Sequence, residues 1–404
     1  MDLSFLNLLL NFAGLLKSLY NSIKEFVLFH KLDDLSSIWE RTRKRFFFSS
    51  ILLKKLLALH DYECLPHDKF IDYQKGLCKE LYGNEIMQVK IRHNGQIEKK
   101  SLPYKEIINY TQNPQSSIQL AEPLWGPNFQ LPPEPNTATR QILYDFKRHS
   151  PDTEDNPAVG IHLLEPLKNG GYKCQLRKLT YFDAVRTNQT LDTPLNLSGH
   201  LQHITMRQKD SDMNGNLKPF SQSLLANQIG VSAVWYMHCP GRHYNQRLQF
   251  FLKGRKSKLG VFTKMMGTVS GTAHPPQGGF ADFEYLEDYA TSEMLRIFNQ
   301  TTNIDKYMED YAYPKQDLEI TKLAFTRELM RGGLPQFFFL IKTPYISDLD
   351  FSDYFKDSPL NRKKYRVRPN ILTRKMSPET VANFLFAFRH LQRDRHLDYI
   401  DLDD

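Results

Sequence analysis

The sequence contains no G-x-S-x-G, no G-x-x-x-x-G-K-[ST] and no H-E-x-x-H. It therefore encodes no strained nucleophile turn, no glycine loop that cradles phosphates and no helical pair of zinc ligands, and kinase and protease chemistry drop out. Cysteine is scarce. Cys64, Cys78, Cys174 and Cys239 stand far apart with no C-x-x-C between them, which excludes a zinc ribbon and a disulfide scaffold and fits a reducing, cytoplasmic compartment. His238, Cys239 and His243 are close in sequence, but Pro240-Gly241 between them reads as a turn rather than a metal site. A long unbroken apolar run is also missing. A bilayer-spanning helix needs about 20 apolar residues, whereas the stretch from Leu3 to Leu16 is shorter and is interrupted by Asn7, Asn11 and Gly14. No basic segment precedes it and no small-residue cleavage site follows, so a cleaved leader is not expected. Three readings of this stretch stay open: a buried or oligomerising helix that would make a homo-oligomer, a helix lying on a membrane surface, and a span.

What the chain does have is bulk, aromatic side chains and positive charge. Its 404 residues are enough for two or three domains, and 27 Phe and 20 Tyr supply large core side chains. The net charge of +8 favours anionic partners: a nucleotide-type small molecule, the acidic face of a membrane to which the protein would be peripheral, and, least favoured, nucleic acid. A basic cluster of Arg41, Arg43, Lys44 and Arg45 runs into three phenylalanines, a combination suited to lipid headgroups or nucleic acid and equally to a helix with one charged and one packed face.

The organisation reads in three parts. Residues 1–60 form an apolar and basic helical region. Residues 61–155 form a small α+β region, with a hairpin turn at Asn94-Gly95, followed by a linker rich in proline between Asn113 and Pro157. Residues 156–404 form the main domain. There, short β-rich runs recur: VGIHLLEPL, YKCQLRKLTYFDAV, IGVSAVWYM, RLQFFLKGR and GVFTKMMGTVSG. A helix follows from Glu284, then the strand patterns ITKLAFTREL and PQFFFLIKTPYI, then a last helix started by Ser377, Pro378 and Glu379. This order is α+β.

The stretch from Gly267 to Asn299 carries the chemistry. Gly267, Ser270 and Gly271 read as a small-residue turn, and His274 lies in the loop after it. At about 100° per residue, Tyr285, Leu286, Tyr289, Ala290, Met294 and Ile297 share one broad helix face, while Glu284, Glu287, Asp288 and Thr291 fall on the other side. Glu293 falls inside the apolar arc, where a carboxylate must be paired, metal-bound or protonated. Arg296, three residues on, is its natural partner, so Glu293 is either a structural ion pair or a site carboxylate. Glu284 and Asp288 are spaced to offer oxygens to Mg2+, and equally to complement the helix dipole. Lys253, Arg255, Lys256 and Lys258 sit at a strand end and suit a phosphate. Arg331, ahead of Gly332-Gly333, suits an anion-binding turn.

The succession LANQIGVSAVWYM, LQFFLKGRKSKLGVF, GTVSGTA, acidic helix and GGLPQFFFLIKT resembles the Nudix hydrolase superfamily over residues 175–345. The resemblance implies an αβα sandwich with a mixed sheet and, in an active member, Mg2+ held by glutamates during cleavage of a nucleoside diphosphate linked to another moiety. Laid on Gly278, the family box G-x5-E-x7-R-E-U-x-E-E-x-G-U finds Glu284, Glu293 and Met294 in place. It finds Ser292 for the arginine, Arg296 and Ile297 for the paired glutamates, and Asn299 for the closing glycine. The resemblance therefore implies a catalytically degenerate domain that binds a nucleotide-derived ligand as a sensor or scaffold. The alternatives are an Mg2+-dependent hydrolase and a membrane-surface or nucleic-acid binder working through the basic N-terminal region. Glu293 and Glu284 are the candidate catalytic residues, Glu284, Asp288 and Glu293 the candidate metal ligands, and Arg255, Lys256, Gly271, His274 and Arg331 the candidate ligand-binding residues.

Overall fold

The chain divides into two compact units, residues 1–54 and 55–404. A computed structural model describes residues 82–133, 154–192, 205–238, 248–254, 266–310, 318–345, 364–367 and 377–393, apart from short internal gaps, together with Cys78 and Leu143. The expectations for the N-terminal apolar and basic stretches, and for Arg255 and Lys256, lie outside the described residues.

In chain order the elements are β1 (Met87–His93), β2 (Gln96–Leu102), β3 (Tyr104–Asn109), β4 (Ile118–Trp125), β5 (Pro157–Pro166) and β6 (Tyr172–Thr180). Then come α1 (Tyr181–Arg186), α2 (Met206–Asp210), β7 (Gly230–His238), β8 (Leu248–Gly254), β9 (Met266–Gly267) and β10 (Val269–Thr272). The remainder is α3 (Leu286–Thr301), α4 (Ile304–Asp310), β11 (Glu319–Glu328), β12 (Leu334–Thr343), β13 (Lys364–Val367) and α5 (Pro378–Arg393). The class is α+β. The large mixed sheet runs β13-β8-β7-β12-β11-β3, with β10 also on β7 and β9 also on β8. β7 and β12 are parallel, and their other neighbours are antiparallel.

β12 shows why this sheet is central. Its near-continuous apolar sequence is buried on both faces, the pattern of a strand covered above and below. Phe337, Phe339 and Ile341 enter one core with Val231, Ala233 and Trp235 of β7 and with Tyr289, Met294, Ile297 and Phe298 of α3. Phe338 and Leu340 enter the other with Val234 and Tyr236 of β7 and with Phe384, Leu385 and Phe388 of α5. The result is a helix, sheet, helix sandwich. Trp235 stacks on Phe251 with ring centroids 4.2 Å apart and meets the edge of Phe298 at 5.3 Å. On the opposite face Phe386 stacks on Phe338 at 5.5 Å. Each such ring, fully buried, contributes roughly 1.5–3 kcal/mol. Within this second core Asn383 donates to Ser232 at 3.0 Å, and Ser232 shares a 2.7 Å hydrogen bond with Thr268, which fixes where α5 sits on the sheet.

A second sheet, β4-β6-β5, completes the first core through Ile118, Val159, Ile161, Cys174 and Leu176. The division expected at residue 155 does not separate two bodies. β3 pairs with β11 and β4 with β6, so residues assigned to the small region and linker are strands of the main body, where pairing buries Ile108 and Ile118. Two local expectations also change. YFDAVR is helix rather than strand, because Thr180 and Asp183 form a reciprocal capping box that starts α1. Gly267, Ser270 and Gly271 lie not in a small-residue turn but in strands, β9 and β10. The chain turns later, where Gly279 at φ 79° donates to the carbonyl of Pro276 at 3.0 Å.

Candidate functional site

The loop after β10 and the helix α3 are bolted together by Glu293. Its side chain is nearly buried and accepts from the backbone N–H of His274 at 2.9 Å. Arg296 adds Nε to both oxygens, at 3.0 and 3.1 Å, and Nη2 at 2.8 Å. The same loop residue is held a second time, because the Tyr289 hydroxyl donates to the His274 carbonyl at 2.7 Å. Phe280 lies 4.6 Å and Phe283 5.7 Å from the Tyr289 ring, and Trp125 closes edge-on over Phe280 at 5.3 Å. The His274 ring is half-buried, and burial together with the positive charge of Arg296 lowers its pKa, with Glu293 opposing. A neutral imidazole is therefore favoured at pH 7.

Of the sequence candidates among the described residues, Glu293 and His274 are joined directly, by the His274 N–H. Glu284 is exposed and precedes the helix, which starts at Leu286 after Tyr285 at the N-cap. It and Asp288 are therefore not successive turns of one helical face. The Glu284 carbonyl accepts from Leu120 N–H at 2.9 Å and so serves to align β4 with the helix start. Asp288 is exposed. Gly271 sits where a Cβ would come within 2.7 Å of Ile297 Cδ1, so its lack of a side chain lets β10 approach α3. Arg331 is ion-paired with Glu328, Nε donating at 2.6 Å, and its carbonyl accepts from Asn188 Nδ2 at 2.8 Å. Desolvation pulls its pKa down, but the carboxylates of Glu328 and Glu379 outweigh it and the net shift is upward. Arg331 is thus part of an internal salt bridge.

Sequence reasoning missed Glu287. It was assigned to the polar side, but it is buried, and both its carboxylate oxygens accept from Ile118 N–H, at 3.0 and 3.2 Å. Burial raises its pKa, with the Ile118 hydrogen bond among the opposing effects. The signal was present: Glu287, Ala290, Met294 and Ile297 are spaced by three, four and three residues, the repeat of a single helix face.

Mg2+, implied by the family box, does not fit the residues found here. Glu293 is taken up by Arg296 and His274, and Glu284 lies off the helix. Among the described residues no group of three or more His, Cys, Asp and Glu side chains is placed to hold a metal ion.

No family model matches the sequence, and no curated protein matches it. Solved structures do. The NUDIX domain of Shewanella oneidensis NrtR complexed with ADP ribose is 15% identical, the match covering 41% of this chain and 89% of that chain at a TM-score of 0.26. A Nudix hydrolase from M. smegmatis, RenU, is 10% identical, with 46% and 96% covered at a TM-score of 0.25. Both are Nudix structures, and each likeness covers a segment of this chain.

Proposed function

We propose that residues 156–404, with β3 and β4, form a Nudix-like domain that binds a nucleotide-derived ligand as a sensor or interaction scaffold and has given up the box chemistry. The observation that carries this reading is the state of Glu293. A carboxylate that ligates metal needs free oxygen lone pairs, whereas Glu293, inside α3, is held by three side-chain donor contacts from Arg296 and one backbone N–H. A carboxylate with its lone pairs so engaged ties a loop to a helix. The ligand class follows from the order of strand, loop, helix and strand by which the sequence resembles the superfamily.

The test is a panel of nucleoside diphosphate derivatives, incubated with and without Mg2+ or Mn2+, reading both product formation and thermal stabilisation. Stabilisation without turnover is the expected result. Metal-dependent turnover that Glu293→Gln abolishes would replace this reading with an Mg2+-dependent hydrolase. Among the described residues no helix is long and apolar enough to cross a membrane.

A further inference from the structure

β1 and β2 form a two-stranded sheet of their own, joined through the turn at Asn94-Gly95, and their register sorts the residues into two unlike faces. In an antiparallel pair, directly opposed residues share a face and successive residues alternate between faces. One face takes Met87 with Leu102, Val89 with Lys100, Ile91 with Glu98 and His93 with Gln96. The base of this face is anchored, because Leu102 is buried in the second core and Met87 packs against it. The other face takes Gln88 with Ser101, Lys90 with Lys99 and Arg92 with Ile97. Ser101 is exposed, so this is the face turned away from the core.

Three cations occupy neighbouring positions of that outer face. Lys90 and Lys99 are directly opposed, where β-carbons lie about 5 Å apart, and Arg92 follows Lys90 after two residues, about 6.8 Å along the strand. No carboxylate shares the face, because Glu98, the one acidic residue of the hairpin, is placed on the other. Like charges directly opposite one another destabilise a ribbon, and a two-stranded sheet has little stability of its own in water. An anion lying across both strands relieves that repulsion.

The positions form a row, which suits a row of negative charges better than a single small anion. A DNA duplex carries one charge per roughly 1.7 Å of its axis, about four over the distance from Lys90 to Arg92. Strands paired about 4.8 Å apart make a ribbon that the major groove of B-form DNA, about 12 Å wide, admits, whereas the major groove of an A-form duplex is too narrow. Gln88 and Ser101, which complete the face, are residue types that bond phosphates and base edges alike. A lipid surface takes apolar residues beside the cations, and Ile97 is the one apolar residue on this face. The net charge of +8 acts in the same direction, drawing the whole chain toward a polyanion.

We propose that the β1-β2 hairpin is a nucleic-acid contact surface, whose face of Lys90, Arg92 and Lys99 lies against the phosphate backbone at the major groove of duplex DNA. This does not depend on the ligand reading above, which concerns the loop after β10 and α3.

The experiment is fluorescence anisotropy of a labelled DNA duplex of about two helical turns, titrated with the full chain between about 50 and 200 mM salt. Log affinity is expected to fall linearly with log salt. Lys90→Gln, Arg92→Gln and Lys99→Gln each flatten the slope by about 0.9 and the triple variant by about 2.7, equally for duplexes of different sequence. Over this range the three contacts account for a roughly 40-fold loss of affinity in the parent. Without DNA the triple variant melts at the parent's temperature or above it, since the opposed like charges are gone. A quadruple variant, Arg41→Gln, Arg43→Gln, Lys44→Gln, Arg45→Gln, keeps the hairpin's share of the slope.

No duplex binding in the parent, or binding that does not respond to salt, overturns the proposal. So does a slope that the triple variant leaves unchanged. Binding of phosphatidylserine vesicles that the triple variant loses, while its duplex binding survives, assigns the face to a membrane instead and also overturns the proposal. If the triple variant does not fold, the three single variants decide. Thermal stabilisation by nucleoside diphosphate derivatives is expected to be the same in the triple variant as in the parent, so failure of either reading leaves the other standing.

Discussion

Replacing Glu293 separates a structural clamp from a catalytic carboxylate, because the two roles predict opposite pairs of results. Gln at this position keeps one carbonyl oxygen for the His274 N–H but turns an amide toward the Arg296 guanidinium. Charge-assisted hydrogen bonds contribute roughly 1.5–3 kcal/mol when fully shielded. Arg296 is one-third exposed, 33% by side chain, and regains water when its partner is lost, so the cost of Glu293→Gln is discounted to about 1 kcal/mol. Glu293→Ala also strands the His274 N–H and opens space in the first core, so it costs about 2–3 kcal/mol. Arg296→Ala leaves a nearly buried carboxylate with only the backbone N–H and is expected to fall between them. A double-mutant cycle of Glu293→Gln with Arg296→Ala should therefore show a coupling of about 1 kcal/mol. Urea denaturation at pH 7 measures all four proteins, and hydrogen exchange at His274 reports the clamp directly. Two outcomes would refute the reasoning. One is Glu293→Ala lying within about 0.5 kcal/mol of the parent, the range of a surface change. The other is Glu293→Gln abolishing metal-dependent turnover at an unchanged denaturation midpoint.

Three further outcomes follow from other positions. Burial raises the Asp210 carboxyl to about 6, with Leu224 and Ser223 opposing. A raised folded-state pKa means that the favourable contribution is complete below the unfolded value near 4 and is lost as pH rises through 6, an order of about 3 kcal/mol for two units. Relative to the parent, Asp210→Asn should thus gain stability between pH 4 and pH 7, as urea midpoints at each pH will show; a constant difference would contradict the assignment. Gly333 has φ 84° and a Cβ there would lie 2.7 Å from Arg327 Nη2, whereas Gly278 has open space. Gly333→Ala should cost about 2 kcal/mol or more and Gly278→Ala less than about 0.5 kcal/mol in the same denaturation assay. Phe298, fully buried against Trp235, should cost about 3–5 kcal/mol when cut to Ala, with a matching change in Trp fluorescence.

Legibility in the sequence tracked how local each determinant is. β12 announced itself by a run of apolar residues too continuous for a strand with a wet face, and α5 by Ser377, whose hydroxyl accepts from Thr380 N–H at 3.2 Å. The capping box of α1 was equally local, since threonine followed three residues later by aspartate is a helix start, and reading YFDAVR as strand ignored it. β3 and β4 were beyond reach. Their partners lie 217 and 54 residues away, as in Ile108 with Phe325 and Gln119 with Lys173, and nothing in a proline-spaced stretch states which distant edge it will join. The candidate site divides along the same line. Glu293 with Arg296 is an i, i+3 relation, visible from helical spacing alone. The His274 N–H that completes the clamp comes from across the loop, and the Ile118 N–H that engages Glu287 comes from another sheet. The charge of a carboxylate is written in the sequence, but how many donors it meets is decided by elements folded against it. That is why a helix with acidic residues at nearly the box spacing reads as a metal site in one dimension and becomes, in three, a pair of anchors for neighbouring chain segments.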